Sequence, residues 1–365
     1  MHNQHGQRIY GLDILRSIAI LLVIYDHSFR FFDVEYFGLA DGVSIFFVLS
    51  GFLIGHILLK KIDNTDFGFR DVIDFWLRRW LRTIPAYFFV LTILVVASIY
   101  GGSKLGWFDY ARFYLFIQNF FFGRRELYKE AWSLSIEEWF YLITPILFFI
   151  SFRISKKERQ KIVLFWIIAI IAGETIFRNY KIFAHNYKDY RQWGLYAAGV
   201  VTTRLDSIMY GVLGAWLAYN NHRIWQYKNL MFNCGCGMFV FIVVEFHKLE
   251  FTSLFVYWQL TLESIASLLV IPKLSSLKDG KGALFRFFTF TSLISYSMYL
   301  LNFTPFYLLT NDLPIDKHVL FWMNLAWDFG ASYLLYRLIE KPFMQLRERI
   351  PVFGTGRKKA SEEKV

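Results

Sequence analysis

Cysteine is almost missing from this chain: two residues in 365, Cys234 and Cys236, both inside one apolar run. Two thiols so placed do not bridge distant segments and do not have the spacing of a metal site, so neither a disulfide scaffold nor a bound metal is expected. Charge is also scarce, at 19% of residues, whereas apolar residues reach 56% and aromatic residues 21%, with 41 Phe and a mean hydropathy of +0.36. No ordinary soluble domain combines those values. A cleaved leader is not expected either, because the first apolar run, from about Tyr10, is too long for a leader core and no small-residue cleavage site follows it. Internal repeats of the kind many transporters show are missing as well.

What the chain does have is a succession of apolar runs, each long enough to cross a bilayer. They cover approximately 10–30, 42–60, 84–101, 132–152, 161–178, 201–219, 229–246, 251–272, 284–309 and 319–338. The expected fold class is therefore an all-α polytopic membrane protein of about ten transmembrane helices. A further apolar piece from Ala111 to Phe122 is too short to cross and suits a re-entrant segment. Lys and Arg concentrate in the loops on the side of the termini, which places both termini in the cytosol. The net charge of +11 thus reports orientation rather than an affinity for nucleic acid. Residues 1–345 read as one membrane domain and 346–365 as a basic, disordered cytosolic tail.

Polar residues inside apolar spans are costly and mark places where work is done. The first span carries Arg16 and His27. Eleven steps of a 3.6-residue helix make almost three turns, so the two side chains share one face about 16 Å apart. Asp26, beside His27, points about 100° away. The second span, Asp41-Gly-Val-Ser-Ile-Phe-Phe-Val-Leu-Ser-Gly-Phe-Leu-Ile-Gly55, has small residues suited to close helix packing. Phe75-Trp-Leu-Arg-Arg-Trp-Leu-Arg-Thr-Ile-Pro85 sets Arg79 and Arg82 on the cytosolic edge as a ledge for phosphates. Ala131-Trp-Ser-Leu-Ser-Ile-Glu-Glu-Trp-Phe-Tyr141 opens the fourth span from outside, with Glu138 toward headgroups and Glu137 turned inward to hold an imidazolium or an arginine. Arg204 and Asp206 are two apart, do not face each other on a helix, and must find separate partners.

These stretches, together with Ser295-Tyr-Ser-Met-Tyr-Leu-Leu301 and Ile339-Glu-Lys-Pro-Phe343, resemble in order the acyltransferase family 3 of membrane O-acyltransferases. One position departs from the pattern: Asn302 stands where that family often has histidine. The resemblance implies transfer of an acyl group, usually acetyl from cytosolic acetyl-CoA, to a hydroxyl of an extracytoplasmic carbohydrate such as lipopolysaccharide, exopolysaccharide or a lipid-linked saccharide. It also implies a home in the bacterial inner membrane. Many relatives add an outward-facing hydrolase-like domain, so either the core suffices here or a separate extracytoplasmic transferase acts as partner.

The chemistry wants a base more than an acid, since a thiolate leaves readily while a sugar hydroxyl must lose a proton. Of eight histidines only His27 and His56 fall within spans, and His27 is the one in the outer half. His27 is therefore the expected base, oriented by Glu137, with Arg16, Arg79 and Arg82 on the acyl-CoA. A covalent acyl-enzyme on His27 fits the same residues. A carrier for an anionic or acylated substrate would also need buried Arg, His and Glu, and is the competing reading.

Overall fold

The computed structural model describes residues 8–32, 40–62, 67–121, 127–154, 158–185, 187, 189–248, 255–310 and 313–349. Helix dominates throughout, and the described residues contain no strand. The helices are α1 Tyr10–Phe32, α2 Gly42–Ile62, α3 Phe69–Tyr100, α4 Trp107–Tyr114, α5 Ala131–Ile154, α6 Arg159–His185, α7 Tyr190–Trp193, α8 Leu205–Tyr219, α9 Lys228–Lys248, α10 Phe255–Leu274, α11 Gly282–Leu301, α12 Thr304–Thr310, α13 Lys317–Leu335 and α14 Lys341–Arg349. Within the described residues the expected apolar runs fall mainly on helices. Six of these helices are long and apolar enough to cross a membrane by length and composition. The first helix is not in that set; it carries Asp13, Arg16 and Asp26.

Helices α1 and α11 rise side by side. Near their starts the amides of Tyr10 and Gly11 donate to the carbonyls of Lys278 and Leu277, and near their ends His27 meets Asn302. Helices α2 and α8 cross at two glycines. A Cβ on Gly51 would lie 1.9 Å from the Ile208 carbonyl oxygen, and one on Gly211 would lie 2.0 Å from that of Val48. The small residues of the second span thus serve close approach. Gly211→Ala is expected to lower stability by about 1–3 kcal/mol, because backbone must move to admit the methyl; thermal melting in detergent measures it.

Arg204 and Asp206 find separate partners, as their spacing requires. Arg204 donates to Asp41 at 2.9 Å and to Ser44 at 2.7 Å, while Asp206 accepts from Arg178 at 2.7 Å. Arg178 also reaches Thr261 at 2.8 Å. These pairs tie the segments of α2, α6, α8 and α10 together, each buried cation set against a carboxylate as burial demands.

The structure corrects three expectations and details a fourth. The third helix begins at Phe69, well before the expected span, so Arg79 and Arg82 lie within a long helix rather than ahead of it. The expected ninth span, 284–309, is two helices separated at Asn302 and Phe303. Pro305 lacks an amide proton and disfavours helical backbone at Thr304, which explains why α11 does not simply continue. In the short apolar piece, helix stops at Tyr114 and gives way to irregular backbone, including Phe116 at φ 57°. There Gln118 and Asn119 are buried, donating to the carbonyls of Ala131 and Trp132. Finally, the proposed tail begins as helix α14, which reaches Arg349; 350–365 lie outside the described residues. The aromatic loop after α6 stacks on itself, Tyr187 lying 5.8 Å from His185 and 6.1 Å from Tyr196.

Candidate active site

One cavity of about 360 Å³ gathers four of the five expected site residues: Arg16, Arg79, Arg82 and Glu137 all line it. Along α2 its wall extends from Val43 to Lys61, a rise of about 27 Å on a helix. That is close to the thickness of a hydrocarbon core, about 30 Å. Lys61, Arg78 and Arg347 line its basic end, and Ser133 and Tyr299 line the other. Arg347 comes from α14, so the segment expected to be a loose tail contributes to the cavity mouth. Burial there lowers the Arg347 guanidinium from its ordinary value.

The cations in the wall differ in their commitments. Arg79 donates to Glu137 at 3.0 Å and to the Tyr141 hydroxyl at 2.6 Å, and its guanidinium lies 4.2 Å from the Tyr141 ring centre. Tyr141 in turn donates to Glu137 at 2.8 Å and shares a 2.5 Å contact with Ser50. By contrast, Arg16 and Arg82 make no side-chain hydrogen bond or ion pair with the described residues. Two partly buried guanidinium groups facing the same cavity, with no carboxylate in direct contact among the described residues, create a demand for an anion. Phosphate groups match the planar fork of arginine.

His27 does not line this cavity. It stands beyond the Ser133–Tyr299 end, where its Nδ1 lies 2.6 Å from the Asn302 side-chain oxygen and its ring is 5.0 Å from that of Phe303. Tyr299 precedes Asn302 by three residues, about 4.5 Å of helix rise, so the cavity ends one turn short of the imidazole's partner. The expectation that Glu137 orients His27 is corrected: its carboxylate is engaged by Arg79 and Tyr141. Glu138 does not face headgroups either. It is buried and accepts from Thr83 at 3.0 Å.

Several participants escaped the sequence reading. Tyr141 was signalled by its position four residues after Glu137, the spacing that brings side chains together on a helix. Tyr296, inside the Ser-Tyr-Ser motif, donates to the Thr83 carbonyl at 2.8 Å, and its neighbour Ser297 donates to Glu340 of the closing motif at 3.0 Å. Glu130 had no local signal. Its buried carboxylate accepts from both the amide and the hydroxyl of Thr304, holding the start of α12. Burial pushes this carboxyl up to about 7, against the opposing pull of the Thr304 bonds. Among the described residues no group of three or more His, Cys, Asp or Glu is placed to hold a metal ion.

Comparison with known proteins places this arrangement. The acyltransferase domain family, the third of that name, matches residues 9–337, which include all five expected site residues. The chain belongs to this acyltransferase family. A Staphylococcus aureus (strain COL) protein, whose name assigns it provisionally as an O-acetyltransferase, is 27% identical over 92% of this chain and 57% of its own length. The peptidoglycan O-acetyltransferase of Listeria monocytogenes is 34% identical over 42% of this chain and 26% of its own length. A Bacillus subtilis protein provisionally named for the same activity is 35% identical over 43% of this chain and 26% of its own length. This acyltransferase chain spans little more than half the length of the S. aureus relative. No solved structure matches it.

Proposed function

We propose that this protein is a membrane O-acetyltransferase that takes acetyl from cytosolic acetyl-CoA and delivers it to a hydroxyl of an extracytoplasmic glycan. The observation that carries the reading is the cavity itself, spanning α2, with Arg16 and Arg82 in its wall unpaired among the described residues and its far end one turn from His27 and Asn302. In this reading about ten helical spans cross the bacterial inner membrane, and the termini and the Lys61–Arg78–Arg347 mouth lie in the cytosol. The coenzyme enters there. Arg16 and Arg82 hold its anionic groups, Arg79 supports them while pinned by Glu137 and Tyr141, and the pantetheine arm carries the thioester toward His27.

The acceptor arrives from the opposite side. Its hydroxyl proton passes to His27, its oxygen bonds to the acyl carbon, the carbon–sulfur bond breaks, and the departing thiolate takes up the proton that His27 received. Glu137 serves as a positioning residue for Arg79 in this scheme and does not touch the reacting atoms. The names of the Listeria and Bacillus relatives make cell-wall glycan the first acceptor to test. With purified full-length protein and acetyl-CoA, addition of soluble peptidoglycan fragments is expected to release free thiol and leave ester-linked acetyl on the glycan. Thiol release that does not respond to any glycan, with acetyl-CoA crossing proteoliposomes intact, would instead favour a carrier.

A further inference from the structure

We propose that Asn302 is the positioning residue of the acyl transfer: its side-chain oxygen holds the Nδ1–H of His27, which leaves Nε2 as the atom that takes the hydroxyl proton. The proposal rests on the reading above that His27 is the base. A carbonyl oxygen only accepts, so the imidazole nitrogen facing it at 2.6 Å must carry the hydrogen. In a neutral ring the lone pair is then on the other nitrogen.

The backbone around Asn302 is clamped so that the amide cannot drift. On the preceding side, the Leu300 carbonyl accepts from Tyr128 at 2.6 Å and the Leu301 carbonyl from Trp327 at 3.0 Å. On the following side, Thr304 is fixed by Glu130, and the Lys129 amide donates to the Thr304 hydroxyl at 3.1 Å. The break between α11 and α12 falls between these two clamps. Asn302 is fully buried, and its Nδ2 has no hydrogen-bond partner among the described residues. Leaving a buried donor unsatisfied costs about 1–3 kcal/mol, so the position carries a cost in stability while its oxygen serves His27. Phe303 covers the imidazole from one side.

An amide at this position supplies a hydrogen bond without a charge, so it orients the ring without adding a carboxylate's preference for the imidazolium. Several charged groups stand near it among the described residues. Asp26 is its neighbour on α1, and Lys129 lies 5.0 Å from the Phe303 ring centre. Glu130 is directed to Thr304, and Asp328 on α13 is 3.4 Å from Asn324, which reaches Ser28 of α1.

The test is a set of pH–rate profiles for acceptor-dependent thiol release by the full-length protein. Asn302→Ala is expected to lower kcat about tenfold to a hundredfold, a fraction of what a positioned base contributes, with the donor KM unchanged. Asn302→Asp, nearly the same shape, is expected to keep activity but move the acidic limb up by about one pH unit or more, as a new carboxylate favours the imidazolium. Glu130→Gln, which removes the nearby carboxylate, is expected to leave the limb in place. An Asn302→Asp enzyme with an unmoved limb, or an Asn302→Ala enzyme with full kcat, overturns the proposal provided His27→Ala is inactive. An active His27→Ala enzyme would overturn the underlying reading and the proposal with it. Should Asn302→Ala fail to fold, the Asn302→Asp limb still decides.

Discussion

Replacing His27 with alanine is expected to lower turnover by about 10²–10⁴-fold, the contribution of a positioned general base, while leaving the donor KM nearly unchanged. The split follows from geometry. His27 stands outside the cavity wall, so in the proposed mechanism its loss would remove no contact to a coenzyme held by Arg16 and Arg82, yet would remove the proton acceptor at the end where the hydroxyl arrives. Its side chain meets Asn302 through a hydrogen bond and Phe303 through a ring contact. The measurement is a steady-state comparison in which donor and acceptor are varied separately. A variant that keeps more than about a tenth of the turnover, well short of the effect expected of a base, would remove His27 from the chemistry.

Arg16→Met is expected to act in the opposite sense, raising the donor KM about thirtyfold or more, the equivalent of at least about 2 kcal/mol for a lost charge contact in a desolvated site. The same replacement should leave the melting temperature unchanged or higher. A guanidinium that lacks a carboxylate is a liability to the free protein, and an unbranched apolar side chain of similar length relieves it. Arg79 provides the contrast. Its replacement strands Glu137 and breaks the Tyr141 contact, so it should weaken the fold as well as binding. A donor KM unaffected by Arg16→Met would show that the cavity takes its anion elsewhere or takes none. Melting curves and donor titrations on the two variants separate a residue kept for binding from one kept for architecture.

Much of this was readable from residues alone, and the reasons for what was not are physical. The apolar runs announced the helices because a bilayer imposes a length on them. Arg16, Arg79, Arg82 and Glu137 were legible because a charge in an apolar span needs a reason to be there, and all four line one cavity. What sequence could not supply was pairing. Glu137 was matched with His27 on the strength of chemistry, whereas the fold sets it against Arg79, and no spacing rule connects residues 58 positions apart. The start of α3 was misplaced because hydropathy reads charged residues as the end of a span, although arginines facing a polar cavity are compatible with helix. Glu130 was invisible because its work, capping α12 across 174 positions, has no local signature. Asn302 stood out only as an oddity against a family pattern; its contact with the imidazole gave that oddity a meaning.

Arg16 and His27 are carried on one unbroken helix, so their separation is set by backbone rise rather than by loops that breathe. On the proposed chemistry α1 works as a ruler, gauging how far the thioester must reach from its charged anchor. Donors with a short tether, such as acyl phosphates or simple thioesters, would come up short of the imidazole even where the mouth admits them. Selectivity for a long-armed donor would then need no pocket shaped to the acyl group, and the acyl group itself would be free to vary among related enzymes while the reach stays constant.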